Sequence, residues 1–334
     1  MMKHYNIPVF LPELACPFQC SYCNQSKISG QQCLPQVDEI KSLIERNIQT
    51  FPQLERKVEI AFFGGNFTGL PAKTQKSYLD IAEGFVQKGL VQGIRLSTRP
   101  DYIDASKLEL LKKYSVKTIE LGAQSLDDEV LSLSGRGHSS QDVFDASRLI
   151  LEQGFRLGLQ MMIGLPGDTF EKATVTANRI IAAGAHETRI YPCLVIKDTQ
   201  LEKLYQQGTY MALSLNQAVE WTSELVNLFE LGGVRVIRIG LHPSEELNGS
   251  GLIAGPYHPS FKELVMTCLW RKLFEKESNW PKTRKIKIHV NPKEINFSVG
   301  YMATNRKWLT DNGLYATFVG EKELFGRNYY ITSC

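Results

Sequence analysis

The sequence of 334 residues lacks the features that mark several protein classes. It has no apolar run of transmembrane length, and its first residues contain no apolar core of a signal peptide. The seven cysteines form no spaced disulfide framework, so we expect reduced thiols and a cytoplasmic location. A net charge of +3 is too small to indicate a partner by itself. What remains is an ordinary globular composition, long enough for one α/β barrel with an appendage.

Three of the cysteines lie close together in the segment CPFQCSYC. Cys16, Cys20 and Cys23 are spaced C-x3-C-x2-C, and thiolates suit either zinc or an iron–sulfur cluster. A structural zinc ion takes four ligands, whereas neither a histidine nor a further cysteine lies between Cys23 and Cys33. Three ligands on a four-iron cluster leave one iron open to another molecule. The spacing therefore favours a reactive 4Fe-4S cluster over a zinc site.

Strand-like and helix-like runs alternate along the chain. Apolar runs predict strands over 7–11, 58–63, 94–97, 116–121, 155–163, 188–196 and 234–239. Helical periodicity predicts helices over 37–50, 72–88, 104–113, 140–152, 168–183, 199–206 and 214–231. This order predicts βαβ units and a parallel sheet, in an α/β fold of the partial (β/α)6 TIM-barrel type over residues 1–240. Residues 241–334 would form a small α+β extension that acts as a lid or in substrate recognition.

The cysteine segment and several later motifs resemble the radical S-adenosylmethionine (SAM) superfamily. After the cysteines come Gly64-Gly65 and the phrases STRPDY, GAQSLDDEVL, GRGH and IYPCLVIKDTQL, which follow successive predicted strands. Over about residues 6–240 they resemble the radical SAM module of the elongator catalytic subunit, which modifies wobble uridine in tRNA. They are similar, less closely, to oxygen-independent coproporphyrinogen oxidase.

The resemblance implies two cofactors and a set of residues that hold them. Cys16, Cys20 and Cys23 would ligate the 4Fe-4S cluster. Cofactor-binding roles fall on Tyr22, Gly64, Gly65, Asn66, Ser97, Gln124, Arg136 and Gln160. Within that set the resemblance places Tyr22 near the adenine of SAM, Gly64 and Gly65 at the methionine amino group, Arg136 at the carboxylate, Gln124 at the ribose or sulfonium region and Gln160 at the ribose hydroxyls. An external one-electron donor of the flavodoxin or ferredoxin type would drive reductive cleavage of SAM to a 5′-deoxyadenosyl radical, which abstracts hydrogen from the substrate.

The chain departs from the elongator pattern in ways that leave the substrate open. Ser97 stands where the elongator subunit has a glutamate, and residues 241–334 show no acetyl-CoA loop. tRNA is one expected partner and substrate. A small molecule, a porphyrin-like compound or a peptide is the alternative, and a third interpretation is an iron–sulfur protein without catalysis.

Two further side chains have alternative roles. Cys193 lies in the run IYPCLVI, where it acts either as a catalytic hydrogen-atom donor or as core packing. His138 in GRGH either touches the substrate or faces solvent in a turn.

The segment 271–289 is basic and contains aromatic residues. It has seven Lys and Arg against two acidic residues, with two tryptophans nearby. Cations that meet phosphates and rings that stack on bases are a means of binding RNA. The alternative is a solvated amphipathic helix whose apolar side packs on the barrel.

Overall fold

A computed structural model describes residues 3–12, 20–24, 33–52, 56–241, 249 and 251–333. The chain forms two compact units: Met1–Leu213 with Leu228–Pro256, and Ser214–Asn227 with Tyr257–Cys334. The predicted boundary near residue 240 stays a prediction about domain organisation. Within the described ranges, no helix is both long and apolar enough to span a membrane.

The first unit is built on strands that alternate with helices. The strands, in chain order, are β1 (Lys3–Leu11), β2 (Arg56–Gly64), β3 (Gly93–Thr98), β4 (Val116–Gln124), β5 (Arg156–Ile163), β6 (Glu187–Pro192), β7 (Val195–Ile196), β8 (Arg235–Ile239) and β9 (Leu252–Ala254). The α-helices between them are α1 (Val37–Thr50), α2 (Ala72–Gln87), α3 (Ala105–Lys112), α4 (Asp128–Leu133), α5 (Ser140–Glu152), α6 (Phe170–Ala182) and α7 (Gln200–Gln206). The next helix, α8 (Leu215–Leu231), has most of its residues in the second unit.

Seven of these strands form one parallel sheet in the order β1-β2-β3-β4-β5-β6-β8. In the described part of the chain the sheet does not close, because β1 and β8 each pair with one neighbour in it. The predicted α/β fold, a partial barrel of parallel strands, is confirmed. Its carboxyl-terminal strand ends lie at one edge, and the loops that follow them are brought together there.

Local sequence explains where the helices between these strands begin. Asp104, Asp127, Ser139 and Thr169 each stand immediately before a helix and accept a hydrogen bond from a backbone N–H of its first turn. Such side chains satisfy N–H groups that have no partner inside the helix. The short loops between strands and helices are therefore anchored at the helix starts.

The prediction of one strand over 188–196 is wrong. β6 ends at Pro192, and the chain then leaves the sheet before forming β7, which pairs antiparallel with β9. Proline has no N–H to donate to a strand ladder, which limits it to strand ends and edges. The apolar run therefore covers two strands of different sheets.

The second unit contains a three-stranded sheet of order β11-β10-β12. Its strands are β10 (Lys285–Val290), β11 (Tyr315–Gly320) and β12 (Tyr329–Ser333), and its helices are α9 (Phe261–Lys276), α10 (Ile295–Val299) and α11 (Thr304–Asp311). One face of β10 packs on a core that includes Trp270, Phe274 and Leu309. The extension is thus an α+β element, as predicted.

The interpretation of 271–289 as one amphipathic helix is wrong for its second half. The helix ends at Lys276, and strand β10 begins at Lys285. Exposed lysines at 285 and 287 alternate with buried isoleucines at 286 and 288. That period of two is typical of a half-buried strand.

Candidate functional site

Cys20 and Cys23 come after β1, whose end lies at the carboxyl-terminal edge of the parallel sheet. Cys16 lies outside the described residues. Cys20 is buried, and the backbone N–H of Cys23 donates to its carbonyl at 3.0 Å, which forms a turn. Between them, the N–H of Ser21 donates to the Ser134 carbonyl at 3.0 Å, and the Ser21 carbonyl accepts from the N–H of Leu201 at 2.7 Å. The turn that carries the two cysteines is therefore held from both sides.

No cluster of three or more metal-ligating side chains occurs within the described ranges, which exclude Cys16. Cys20 and Cys23 have thiols that form no disulfide. Two thiols in one short turn fit ligands of a metal cluster, for which thiolate is the usual donor. Their ligand role stays a prediction.

The Arg136 guanidinium lies beside Cys20. Its Nη1 is 3.4 Å from the Cys20 sulfur, and its Nη2 donates to the Gly122 carbonyl at 2.7 Å. Arg136 is 7% exposed, so its charge acts in surroundings where water screens little.

Arg99 fixes the backbone at Arg136. The Arg99 Nη2 donates to the Arg136 carbonyl at 2.8 Å, and Arg99 makes a two-bond ion pair with Asp101 at 2.9 and 2.9 Å. Arg99 lies inside the STRPDY phrase, but the phrase alone does not reveal this role. A bidentate arginine–carboxylate pair is geometrically specific, so it orients what the arginine contacts.

Gln124 ends β4 in an unusual conformation. Its φ of 65° is left-handed, and the register between β4 and β5 shifts between Leu121 and Gln124. The Gln124 Oε1 is buried and has no hydrogen-bond partner among the described residues. An orphaned buried acceptor in a strained backbone fits a ligand that donates a hydrogen bond, such as a ribose hydroxyl.

Gly122 makes room for both of these side chains. A Cβ at this position would lie 2.8 Å from the Arg136 Nη2 and 3.1 Å from the Gln124 Nε2. Only a residue without a side chain leaves the guanidinium where it is. Gly122 is therefore a positioning residue that the sequence analysis did not single out.

Gly64 and Gly65 follow β2 at the same edge. Gly64 has a φ of 102°, and the N–H of Gly65 donates to the Leu11 carbonyl at 2.9 Å. Such a conformation is accessible to glycine and costly for other residues. The pair therefore forms a tight turn beside β1, whose end leads into the cysteine loop.

The side chain of Asn66 is buried and forms hydrogen bonds to other residues of the protein. It is 1% exposed, and its Oδ1 accepts hydrogen bonds from the Thr98 hydroxyl at 2.5 Å and from the Arg99 N–H at 3.3 Å. These bonds join the loop after β2 to the end of β3. The predicted cofactor contact of Asn66 stays a prediction. Its hydrogen bonds support a structural role, in which it fixes the loop after β2 to the end of β3.

Ser97 and Gln160 contact each other within the sheet. The Gln160 Nε2 donates to the Ser97 hydroxyl at 3.3 Å and lies 3.4 Å from a Glu120 carboxylate oxygen. Glu120 also pairs with Ser97 in the β3–β4 register. A carboxylate, that of Glu120, therefore lies next to Ser97 on the neighbouring strand.

Glu120 belongs to a layer of buried charges that the sequence analysis missed. Arg95 is 1% exposed and contacts three glutamates, with Nε 3.0 Å from Glu120, Nη1 3.8 Å from Glu59 and Nη2 bonded to Glu187. Arg189 adds bonds of 2.5 and 3.1 Å to Glu120. The available signal was a charged residue in the middle of each of several apolar strands.

Glu59 remains ionised although it is buried. Burial alone would raise the pKa of Glu59, but hydrogen bonds from His4 and Lys57 and the charge of Arg95 hold that pKa at about 2. A cavity of about 320 Å³ lies there, lined by His4, Lys57, Glu59, Thr118, Arg156, Glu187 and Arg235. Cys20 and Cys23, by contrast, follow the carboxyl-terminal end of β1.

Cys193 lies in an apolar environment. It is 1% exposed and packs with Leu165, Val195 and Tyr210, and Tyr22 lies against the same cluster. Burial raises the pKa of the Cys193 thiol to about 12, so the thiol stays protonated. This packing supports the core role; hydrogen-atom donation stays a prediction.

The interpretation of His138 as a solvent-facing turn residue is wrong. The side chain is 7% exposed. Burial, and then the charges of Arg136 and Arg99, lower the pKa of His138 to about 3. A neutral imidazole is thereby held beside the two arginines of the site, because the charged form would be both desolvated and repelled.

Comparison with known proteins agrees with this geometry. Residues 14–180 match the radical SAM superfamily, and residues 185–271 match the radical SAM C-terminal domain. An uncharacterized protein of Methanocaldococcus jannaschii is 28% identical over 215 residues, which cover 63% of each chain. A tRNA uridine(34) acetyltransferase of Dehalococcoides mccartyi is 26% identical over 237 residues, which cover 61% of this chain and 52% of that protein. The chain thus spans between about half and two thirds of these relatives.

Among solved structures, Elp3 of Methanocaldococcus infernus superposes with a TM-score of 0.65 at 21% identity, covering 81% of this chain and 64% of that chain. This likeness shows a shared fold. The superfamily match spans half of the chain and includes all three cysteines of the motif. The chain therefore belongs to the radical SAM superfamily.

Proposed function

We propose that this radical SAM enzyme binds a 4Fe-4S cluster through Cys16, Cys20 and Cys23 and modifies a base in tRNA, a uridine in the first instance. One observation carries the proposal: two of the three motif cysteines lie in a fixed turn at the carboxyl-terminal edge, with the Arg136 guanidinium 3.4 Å from the Cys20 sulfur.

The residues at this edge fit the two cofactors. Gly64 and Gly65 expose backbone groups suited to an amino group. Arg136 offers a cation for a carboxylate, and the Gln124 Oε1 offers an acceptor that no described residue uses. Cys16, Cys20 and Cys23 would hold the cluster beside these groups, and the bound cluster and SAM would together supply the one-electron chemistry that removes a hydrogen atom from the substrate. Tyr22, Ser97 and Gln160 complete the proposed contacts.

The protein's own contribution is to hold these groups in place before SAM arrives. Arg99 and Asp101 fix the backbone at Arg136, and Gly122 leaves space for its guanidinium. Preorganised charge requires no rearrangement when the ligand binds. The neutral His138 beside these arginines adds no competing positive charge.

The substrate part of the proposal is supported by a relative whose name specifies tRNA uridine, at 26% identity over about half of its length. A flavodoxin- or ferredoxin-type protein is proposed as the electron donor. A small molecule or peptide substrate is the rival outcome of the test below.

The test combines SAM cleavage with RNA analysis. Anaerobically reconstituted protein should release 5′-deoxyadenosine from SAM under dithionite, and addition of bulk tRNA should change the rate. Cys20→Ala should abolish cleavage, whereas Cys33→Ala, which removes an exposed cysteine, should leave it intact. Mass analysis of tRNA nucleosides from a deletion strain should show a modification missing relative to wild type. Cleavage without any change in RNA would reject the tRNA substrate and retain the radical SAM assignment.

A further inference from the structure

The three-stranded sheet of the second unit has two chemically different faces. The face that packs inward is apolar, with Ile286, Ile288 and Val290 fully buried. The residues that alternate with them on β10 are Lys285, Lys287 and His289. Because side chains alternate between the faces of a strand, these three point away from the core.

The strand register adds aromatic residues to the same face. Lys285 pairs with Tyr315 on β11, and His289 pairs with Tyr330 on β12. Directly paired residues share a face. Tyr315 is 54% exposed and Tyr330 is 43% exposed, which is unusual for large rings. We call this set the outer sheet face: Lys285, Lys287, His289, Tyr315 and Tyr330, with Thr317 and Thr332 between them.

One ring on this face is already held flat. The Tyr330 and His289 rings stack with centroids 4.3 Å apart and planes at 8°. The Tyr330 hydroxyl donates to the Glu321 carboxylate at 3.2 Å, and the His289 Nε2 bonds to the Thr332 hydroxyl at 3.1 Å. A ring fixed in this way loses little conformational freedom when another flat group stacks on its exposed side.

The charge of the chain is concentrated in the same unit. Residues 257–334 contain 13 Lys and Arg against seven Asp and Glu, whereas residues 1–256 contain 25 against 28. The whole chain's positive excess therefore comes from its last part. On the outer sheet face Lys285 and Lys287 lie at one end, and Glu321 lies at the other, beside Tyr330.

We propose that the outer sheet face binds single-stranded RNA, with bases stacking on Tyr315 and Tyr330 and phosphates meeting Lys285 and Lys287. The proposal rests on the proposed RNA substrate and adds a surface that holds it. Exposed aromatic rings on a sheet, flanked by lysines, suit unstacked bases because every base offers a flat face and every nucleotide a negative charge. Duplex RNA hides its base faces, so it should bind this surface less well.

The test measures RNA binding by the full chain without SAM. Fluorescence anisotropy with a labelled RNA of about 12 nucleotides should detect binding at low salt. Tyr315→Ala with Tyr330→Ala should weaken binding about fivefold or more, through lost stacking. Tyr315→Phe with Tyr330→Phe keeps the rings and should bind within about twofold of wild type, which also shows that the hydroxyls are dispensable.

The lysines are tested by salt dependence. Lys285→Gln with Lys287→Gln should make the slope of log K against log salt shallower by about 1.4, since each phosphate contact to a single strand contributes about 0.7. Lys276→Gln with Lys307→Gln removes the same charge from exposed positions on helices of the same unit and should leave the slope unchanged.

Three results would overturn the outer sheet face as an RNA site: unchanged affinity of the double alanine variant, equal binding of a duplex, or an equal slope change in the helix control. If any of these occurs while wild-type protein still binds and modifies tRNA, the surface fails and the proposed function stands. If wild-type protein binds no single-stranded RNA yet modifies tRNA, only the surface fails. If it cleaves SAM and leaves tRNA unmodified, the RNA substrate fails as well.

Discussion

The two ends of the parallel sheet handle polar groups in opposite ways. In the interior and toward the amino-terminal strand ends, Arg95 contacts Glu59, Glu120 and Glu187. At the carboxyl-terminal edge, the Gln124 Oε1 is buried without a partner among the described residues, in a left-handed backbone conformation. Buried charges that are paired hold a structure together, whereas an unpaired acceptor at a strained residue indicates a ligand.

The pKa values of two carboxyl groups, Glu59 and Asp168, also differ between the two ends of the sheet. Hydrogen bonds and the charge of Arg95 overcome burial and keep the pKa of Glu59 at about 2. Burial raises the pKa of Asp168, in the loop after β5, to about 7. The ionised form of Glu59 is thus stabilised, whereas the ionised form of Asp168 is destabilised.

The largest effect is expected from breaking the paired layer. Arg95→Met would leave Glu59, Glu120 and Glu187 without their shared cation, so we expect a loss of about 3–5 kcal/mol in the free energy of unfolding. Arg235→Met removes an arginine that is 58% exposed and pairs with Glu187 at 2.7 Å. That control should cost less than about 1 kcal/mol. Equal losses in urea denaturation would show that the layer is not a structural unit.

The carboxyl contrast predicts a dependence of stability on pH. An Asp168 pKa of about 7 in the folded chain, against 3.8 as its ordinary value, means that the unfolded chain ionises first as pH rises. The stability contribution of Asp168 is complete below about pH 4 and is lost as pH rises to about 7. Between pH 5 and pH 8 the wild-type protein should therefore lose roughly 1–3 kcal/mol of unfolding free energy because Asp168 ionises. Asp168→Asn should not show this loss, as measured by urea denaturation at the two pH values.

Glu59→Gln is the control for that experiment. With a folded pKa of about 2, against an ordinary value of 4.5, Glu59 is ionised in both states above about pH 5. Its contribution is lost only as pH falls from about 4.5 toward 2. Glu59→Gln should therefore lower stability without changing the slope between pH 5 and pH 8. If Glu59→Gln changed the slope of unfolding free energy against pH in that range, the difference between the pKa values of Glu59 and Asp168 would be contradicted.

Gly122→Ala sharpens the comparison at the edge. Its Cβ would lie 2.8 Å from the Arg136 Nη2 and displace the guanidinium. We expect SAM affinity, measured by anaerobic equilibrium dialysis, to fall about tenfold through a weakened charge-assisted bond. Gly84→Ala, in the open interior of α2, should leave SAM affinity unchanged and raise stability by about 0.5–1 kcal/mol.

The smallest effect concerns Gln124, where affinity and stability should separate. Gln124→Ala and Gln124→Gly both remove the acceptor and should lower SAM affinity about fivefold. Alanine keeps the cost of the left-handed backbone and glycine does not, so the alanine variant should be less stable by about 1 kcal/mol. Unchanged SAM affinity in both variants would mean that the orphaned acceptor serves another purpose.

Short motifs predicted which loops follow the strands at the carboxyl-terminal edge, and they did not predict the buried charges within the sheet. The cysteine spacing, Gly64-Gly65 and the turn phrases were legible because each is local in sequence and follows a strand. The Ser97–Glu120 pairing, the contacts of Arg95 and the Gly122–Arg136 contact depend on strand register or on chain segments that meet only after folding. Of the two roles predicted for His138, the solvent-facing one was wrong because a short polar motif such as GRGH shows nothing of its burial. The strand over 188–196 was misread because an apolar run does not reveal a change of sheet.

The most direct test of the account is the iron content and electron paramagnetic resonance spectrum of the anaerobically reconstituted, reduced protein with and without SAM. The account predicts about four irons per chain and a spectrum that changes when SAM is added, since Cys16, Cys20 and Cys23 leave one iron open. Protein that binds zinc through these thiols, without iron and without a response to SAM, would contradict it.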